Sequence, residues 1–127
     1  MKYSASTSTP ESVKPKQEEL ENSLPANTEY SQIDVSKLSE MMQRYVEVKQ
    51  KYSHALLLFR VGDFFECFFQ DAVTIAQELE LVQTTKHAGK EIGRVPMTGV
   101  PHHAVEKYAT ILVEKGYAVV VCDQVED

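Results

Sequence analysis

The sequence predicts one small α/β domain, in which a mixed β-sheet is flanked by helices and preceded by a disordered tail. Three observations carry this prediction. Apolar residues recur at helical spacing in several segments, short Val-, Leu- and Phe-rich runs alternate with those segments, and residues 1–34 are polar. A chain of 127 residues is long enough for one domain with a modest core.

The first 34 residues differ in composition from the rest. They hold three Lys and six Asp or Glu among Ser, Thr, Pro and Asn. Such a segment buries too little apolar surface to offset chain entropy, so we expect residues 1–34 to be a disordered acidic and polar tail. Residues 35–127 are expected to form the folded domain. The chain stops five residues after the last predicted strand, which suggests a fragment of a longer protein.

Composition excludes several classes of protein. The apolar run 55–59 is far too short to span a bilayer, and the N-terminus lacks a signal-peptide core. Neither cysteine lies in a metal-binding or redox spacing, which favours a cytoplasmic protein with reduced thiols. The net charge of −6 is divided equally, with −3 on residues 1–34 and −3 on residues 35–127, so neither part is basic. If this domain contacts DNA, we expect most of the phosphate-driven affinity to come from elsewhere.

The elements follow from periodicity and from turn residues. Spacings of three, four and seven between apolar residues predict a helix over 38–52 with Ser36 as its N-cap. Later helices are predicted from Asp71, as N-cap, to Glu80, and over 102–115 with Pro101 at the start. The predicted strands or extended segments are 54–61, 64–69, 81–85, 95–100 and 117–122. Residues 86–94 are predicted to form a polar, locally basic loop.

One short stretch, 61–69, does not fit a simple core strand. It places a glutamate among four phenylalanines directly after a Gly-Asp turn signal. In an extended segment, Phe65, Cys67 and Phe69 would share an apolar face directed at the core. Phe64, Glu66 and Phe68 would share the other face. Phe64 and Glu66 would point towards solvent, where an aromatic beside a carboxylate is hard to explain by packing.

Several separated motifs in this chain resemble one family. The run 41–45, the segment 57–66, Thr85-Lys86, the Val-Pro-Met-Thr-Gly-Val-Pro run 95–101, the His-Ala-Val-Glu run 103–106 and the segment 121–124 occur in the order seen in that family. The family is the N-terminal mismatch-recognition domain of bacterial MutS-type DNA mismatch repair proteins. The resemblance covers residues from about 38 to the end and leaves the acidic tail outside it.

The resemblance implies a non-catalytic DNA-binding role. Phe64 would stack as a wedge in the minor groove at a mispaired or unpaired base, and Glu66 would hydrogen-bond that base. The implied partner is double-stranded DNA with mismatches or small insertion/deletion loops. The longer protein would be a homodimeric ATPase that uses ATP and Mg²⁺, works with a MutL-type partner and is associated with the nucleoid. No GxxxxGK[ST] phosphate loop occurs in this chain.

Basic residues near the predicted wedge are candidates for contacts to the DNA backbone. Lys86, Lys90 and Arg94 could reach phosphates, and Met97 could lie near the groove. Where the family often carries Lys-Arg-Gly, this chain has Lys-His-Ala at 86–88, which weakens the case for a second basic contact.

The alternative function is a small α/β domain with an acidic catalytic or metal-dependent pocket around Asp63, Glu66 and His103. No nucleophile accompanies these residues, and neighbouring histidines at 102 and 103 would point to different sides of a helix start. Asp63 is more simply explained as a turn residue, and the histidines as packing or capping residues.

Overall fold

A computed structural model describes residues 23–123 of the chain. Its elements in that range are α1 (Glu40–Lys51), β1 (Leu56–Val61), β2 (Phe64–Phe68), α2 (Phe69–Leu79), β3 (Thr84–Gly89), β4 (Gly93–Pro101), α3 (Val105–Glu114) and β5 (Val119–Cys122). Short 3₁₀ turns span Tyr30–Gln32, Val35–Lys37 and His102–Ala104. None of the described helices is long and apolar enough to cross a membrane.

The strands form a single five-stranded sheet in the order β3-β4-β2-β1-β5. β1 and β5 are parallel, while β1–β2, β2–β4 and β3–β4 are antiparallel pairs. The sheet is therefore mixed and carries helices, which confirms the predicted fold class. β2 lies at its centre and is hydrogen-bonded on both sides.

Both faces of the sheet are covered by apolar side chains. On one face, hereafter the α1 face, Met42 and Tyr45 of α1 pack with Phe59, Phe68 and strand residues of β4. On the other face, hereafter the α2/α3 face, the core consists of residues from α2, α3 and four strands or loops: Leu56, Leu58, Phe65, Cys67, Ala72, Ile75, Leu79, Leu81, Val100 and Leu112. A two-sided core explains why β1 and β2 read as nearly continuous apolar runs.

Tyr45 fixes α1 to the centre of the sheet. Its ring is fully buried and lies edge-on to the rings of Phe59 and Phe68, with centroid distances of 5.7 and 4.7 Å. Its hydroxyl donates to the carbonyl oxygen of Phe68 at 3.3 Å and accepts from the amide of Phe68 at 3.2 Å. A single side chain thus satisfies both backbone groups at the point where β2 gives way to α2.

A buried ion pair ties α1 to the start of α2. Lys49 lies 2.9 Å from a carboxylate oxygen of Asp71, and Asp71 also accepts from the amide of Leu57 at 3.0 Å. The expectation that Asp71 is the N-cap of its helix is wrong. That helix begins two residues earlier, at Phe69, and Asp71 in its first turn bonds β1 and α1 instead.

Other predicted boundaries also shift. The N-cap of α1 is Ser39, whose hydroxyl accepts from the amide of Met42, whereas Ser36 lies in a 3₁₀ turn capped by Asp34. The predicted polar loop 86–94 is wrong, because most of it belongs to the β3–β4 hairpin. Gly89 and Gly93 adopt positive φ on either side of the hairpin turn.

Residues 23–34 fall within the predicted tail but pack on the domain. Leu24 donates its amide to the carbonyl of Arg94 at 2.9 Å. The ring of Tyr30 lies edge-on to Phe69 at 5.3 Å, and Ile33 packs against the α1-face core. The folded region therefore starts before the expected boundary at residue 35. Residues 1–22 lie outside the described residues, so the disordered tail remains a prediction for them.

The role of the Tyr45 hydroxyl can be tested by Tyr45→Phe. Deleting the hydroxyl leaves the amide and carbonyl of Phe68 buried without this partner, so we expect a loss of about 1–3 kcal/mol in the free energy of unfolding, measured by urea denaturation. Tyr52 is 43% exposed and supplies the matched control. An equally large loss for Tyr52→Phe would contradict the assigned role.

Candidate nucleic-acid interface

The β1–β2 hairpin places Phe64 at one end of the sheet. Gly62 and Asp63 form its two-residue turn, and Gly62 has a φ of 60° that favours glycine. Phe64 follows at once as the first residue of β2, opposite Val61 on one side and Pro101 on the other. It is half-buried, whereas the four residues that follow it are buried.

The carbonyl of Asp63 accepts from the amide of His102 at 2.8 Å. This bond links the hairpin turn to the 3₁₀ turn that precedes α3. Both histidines of that turn are exposed, so the expectation of packed residues there is not met, and their rings lie 5.9 Å apart.

Alternation along β2 sorts its side chains between the two faces. Phe65 and Cys67 lie in the α2/α3-face core, as predicted. Phe69 does not join them, because it begins α2 with a φ of 59° and packs in the α1-face core. Phe68 belongs to the α1-face core as well. Since side chains two apart share a face, Phe64 and Glu66 also lie on the α1 face.

Glu66 is only 5% exposed, which contradicts the expectation that it points to solvent. Its carboxylate oxygen Oε1 lies 2.8 Å from Nζ of Lys86, which projects from β3. β4 separates the two strands, and its residue opposite Glu66 is Gly99. A Cβ at Gly99 would stand 3.3 Å from Cγ of Glu66 and 3.0 Å from the carbonyl oxygen of Phe65. The missing side chain at Gly99 thus leaves room for the glutamate.

Burial raises the pKa of Glu66 above its ordinary value of 4.5, although the hydrogen bond and charge of Lys86 act in the opposite direction. Desolvation disfavours a charged carboxylate, and the single cation does not fully offset it. Glu66 is therefore a buried carboxylate whose desolvation is only partly offset by Lys86. Groups of this kind are common at functional sites.

The other residues predicted to contact DNA differ in accessibility. Lys90 is exposed in the β3–β4 turn. Arg94 is half-buried and donates to the hydroxyl and the carbonyl of Thr85 at 2.7 and 3.2 Å. Met97 is a core residue, 3% exposed, so it does not offer a surface contact as the sequence suggested. Lys86 is half-buried and engaged with Glu66.

Comparisons with known proteins identify the family of this chain. Residues 39–127 match the protein family described as MutS domain I. This chain belongs to the MutS domain I family. It is 92% identical over all 127 residues to the DNA mismatch repair protein MutS of Trichodesmium erythraeum (strain IMS101), of which it spans 14%. It is 76% identical over 95 residues, 75% of the chain, to the MutS protein of Trichormus variabilis (strain ATCC 29413 / PCC 7937), of which it spans 11%.

The MutS domain I match covers nearly the same residues as the resemblance seen in the sequence, which runs from about residue 38 to the end. It begins at residue 39, so the segment 23–38 that packs on the α1 face lies before it. The relative from Trichodesmium erythraeum, in contrast, aligns with the whole chain, including the polar first residues. The motif-bearing stretch 57–66 lies within the MutS domain I match.

The alternative acidic pocket is not assembled in this MutS domain. Across residues 23–123, no three His, Cys, Asp or Glu side chains come together closely enough to hold a metal ion. Asp63 and His103 are exposed, whereas Glu66 is buried and paired with Lys86. The three residues named for that pocket therefore lie in different environments.

Sequence reasoning missed the partnership of Glu66 with Lys86 and the space left by Gly99. The feature of the sequence that could have revealed this partnership is the glutamate itself. A glutamate on a strand that is buried on both faces requires a cation or a proton. The adjacent pair Thr84-Thr85 is typical of a strand, and continuing that strand places Lys86 within the sheet.

The burial of Glu66 can be tested through the pH dependence of stability. Because its pKa is raised on folding, the folded state binds this proton more tightly than the unfolded state does. The stabilisation from Glu66 is therefore complete below its ordinary pKa of 4.5 and is lost as pH rises through the folded value. We expect Glu66→Gln to have a higher free energy of unfolding than the parent at pH 7 and an equal one below pH 4.5, measured by urea denaturation.

Glu114→Gln, at the exposed end of α3, is the matched control for the loss of one carboxylate. An equal gain in that control at pH 7 would show that net charge, and not burial of Glu66, is the cause.

Proposed function

We propose that this domain recognises mispaired or unpaired bases in double-stranded DNA as part of a DNA mismatch repair protein. Phe64 is the wedge that stacks on the defective base, and Glu66 hydrogen-bonds that base. Membership of the MutS domain I family supports the class of function. The observation that carries the residue assignment is the position of Phe64. It is a half-buried aromatic at the open end of a central strand, with a carboxylate two residues away on the same face.

Placement at the end of the sheet suits a wedge. A ring inserted between base steps must overcome unstacking of a few kcal/mol, and this barrier is lowest where pairing is already defective. Stacking of the ring on a base contributes about 1–3 kcal/mol and tolerates any base. A mispaired step also kinks more readily than a paired one, so the bending energy adds to the discrimination. The wedge therefore senses a defect without reading a sequence.

A rigid base for Phe64 comes from the residues next to it. Phe65 is 2% exposed in the α2/α3-face core, and its ring lies 5.5 Å from the guanidinium of Arg60 on β1. The turn before Phe64 is held by the bond from His102 to Asp63. A ring fixed in this way loses little conformational entropy when it inserts into DNA.

Glu66 contributes selectivity through its charge. A carboxylate brought into a groove lined by phosphates is repelled unless a base provides a hydrogen-bond donor or the group is protonated. In the minor groove of paired DNA, the base edges present mainly acceptors. Repulsion therefore weakens binding to intact duplex more than binding to a defect with free donors.

For the longer protein to which we expect this domain to belong, we make three further predictions that concern parts outside this chain. These are a homodimeric clamp, an ATP and Mg²⁺ site, and a MutL-type partner. The chain spans 14% of its relative from Trichodesmium erythraeum. With a net charge of −6, we expect the isolated domain to bind DNA weakly and mainly at low salt.

The wedge is tested by Phe64→Ala in a gel-shift comparison of mismatched and fully paired duplexes. Loss of stacking worth about 1–3 kcal/mol should remove most of the preference for the mismatch. Phe65→Ala is the neighbouring control. It removes a buried ring, so we expect a loss of about 3–5 kcal/mol in the free energy of unfolding instead. A mismatch preference that persists in a folded Phe64→Ala protein would contradict the assignment.

Selectivity from Glu66 is tested by Glu66→Ala on fully paired DNA. Without the carboxylate, phosphate repulsion is relieved, so the variant should bind paired duplex more tightly than the parent, as measured by equilibrium titration at low salt. Binding to paired duplex that is no tighter than that of the parent would show that repulsion by Glu66 has no part in discrimination.

A further inference from the structure

The proposed wedge makes no use of the ion pair between Lys86 and Glu66. This ion pair joins strands that are not neighbours, with β4 between them, across the space opposite Gly99. Exposure of the two partners is unequal. The side chain of Glu66 is 6% exposed, and that of Lys86 is 29% exposed. A molecule approaching this face can therefore reach the ammonium more readily than the carboxylate.

We propose that Lys86 is a positioning residue that withholds Glu66 from paired DNA and releases it to a defective base. This inference rests on the proposed function. In the free domain the ammonium holds Oε1 of Glu66 at 2.8 Å. A lysine near a nucleic-acid groove is also attracted by phosphates, which compete for the same ammonium. Movement of Lys86 towards a phosphate leaves Glu66 buried without its cation.

A buried carboxylate without a cation is strongly disfavoured unless another donor replaces it. The minor-groove edge of a paired duplex presents acceptors and, as donor, the amino group of guanine. A mispaired or unpaired base also exposes N–H groups that pairing would otherwise occupy. Release of Lys86 is therefore compensated at a defect and largely uncompensated on intact duplex. Because of the ion pair, the contact between Lys86 and a phosphate, which any duplex can make, favours binding only where a defective base supplies a donor to Glu66.

Two roles for Lys86 make different predictions. A plain phosphate contact supports binding to every duplex equally, so its removal lowers both affinities by the same factor and makes the salt dependence shallower by about one ion. A positioning residue instead changes the ratio of the mismatched to the paired affinity. Without Lys86, Glu66 is left buried with no ion-pair partner. Its pKa then rises further, the carboxyl group carries a proton for more of the time, and its repulsion by phosphates weakens.

The deciding experiment measures dissociation constants of the full-length protein for mismatched and paired duplexes over a series of salt concentrations. We expect Lys86→Met to lower the ratio of the two affinities by about tenfold, the factor associated with one charge-assisted hydrogen bond. Lys86→Arg retains the cation and should retain most of the ratio. In a Glu66→Gln background, adding Lys86→Met should leave the ratio unchanged, since no charge remains to be positioned.

Lys90→Met is the matched control, because it removes the same charge from an exposed position in the same hairpin. It should lower both affinities equally. If Lys86→Met behaves like Lys90→Met, with both affinities reduced by one factor and the ratio intact, Lys86 is a phosphate contact only and the inference is overturned. A lowered ratio that is the same in the parent and Glu66→Gln backgrounds overturns it as well.

Failure of the inference and failure of the proposed function give different results. A parent protein that binds mismatched and paired duplexes equally overturns the proposed function and this inference together. A parent that prefers the mismatch, combined with an unchanged ratio in Lys86→Met, overturns the inference alone. Thermal unfolding of each variant checks the fold. If Lys86→Met does not fold, Lys86→Gln, which keeps a donor but no charge, decides by the same criteria.

Discussion

The register of β2 is the constraint on which the rest of the site depends. Because β2 is hydrogen-bonded to β1 and to β4, its residues cannot change face without breaking two ladders. A shift by one residue would exchange Glu66 with Phe65 or Cys67 and bring a carboxylate into the α2/α3-face core. Tyr45 reinforces the register by bonding both backbone groups of Phe68 at the strand's end. The position of Phe64 at the tip follows from the same register.

Holding Glu66 inside the sheet has an energetic consequence. One ion pair with Lys86 offsets desolvation only in part, as the raised pKa of Glu66 indicates. Lys49 and Asp71 form the other buried pair of the α1 face, and there Asp71 has a further donor in the amide of Leu57. The first pair crosses β4 beside Gly99, whereas the second joins α1 to the start of α2. The first pair, which has fewer supporting hydrogen bonds, is the one that we propose opens on DNA.

Local patterns predicted part of this arrangement, and long-range contacts explain the rest. The alternation of side chains correctly assigned Phe65 and Cys67 to the core, and the motifs correctly predicted membership of the MutS domain I family. From the local pattern Glu66 is expected in solvent, because nothing local reveals its burial or that Lys86 reaches across β4. Residues 86–94 are predicted as a loop because β3 is an edge strand, where polar residues are common, and because Gly89 and Gly93, which flank the hairpin turn, are typical loop residues.

The acidic composition of this chain is compatible with a role in sensing defects in DNA. Attraction to phosphates is the same for all duplexes, so a strongly basic domain would bind intact DNA and gain no discrimination from that affinity. The chain carries a net charge of −6, of which residues 35–127 contribute −3 (ten Lys or Arg against thirteen Asp or Glu), and this keeps the background low. Under the proposed function, the contrast is the difference between stacking by Phe64 and repulsion at Glu66, and both free-energy contributions depend on whether a base is paired. We therefore expect most of the affinity for DNA in general to come from other parts of the longer protein, while this domain supplies the contrast between defective and intact DNA.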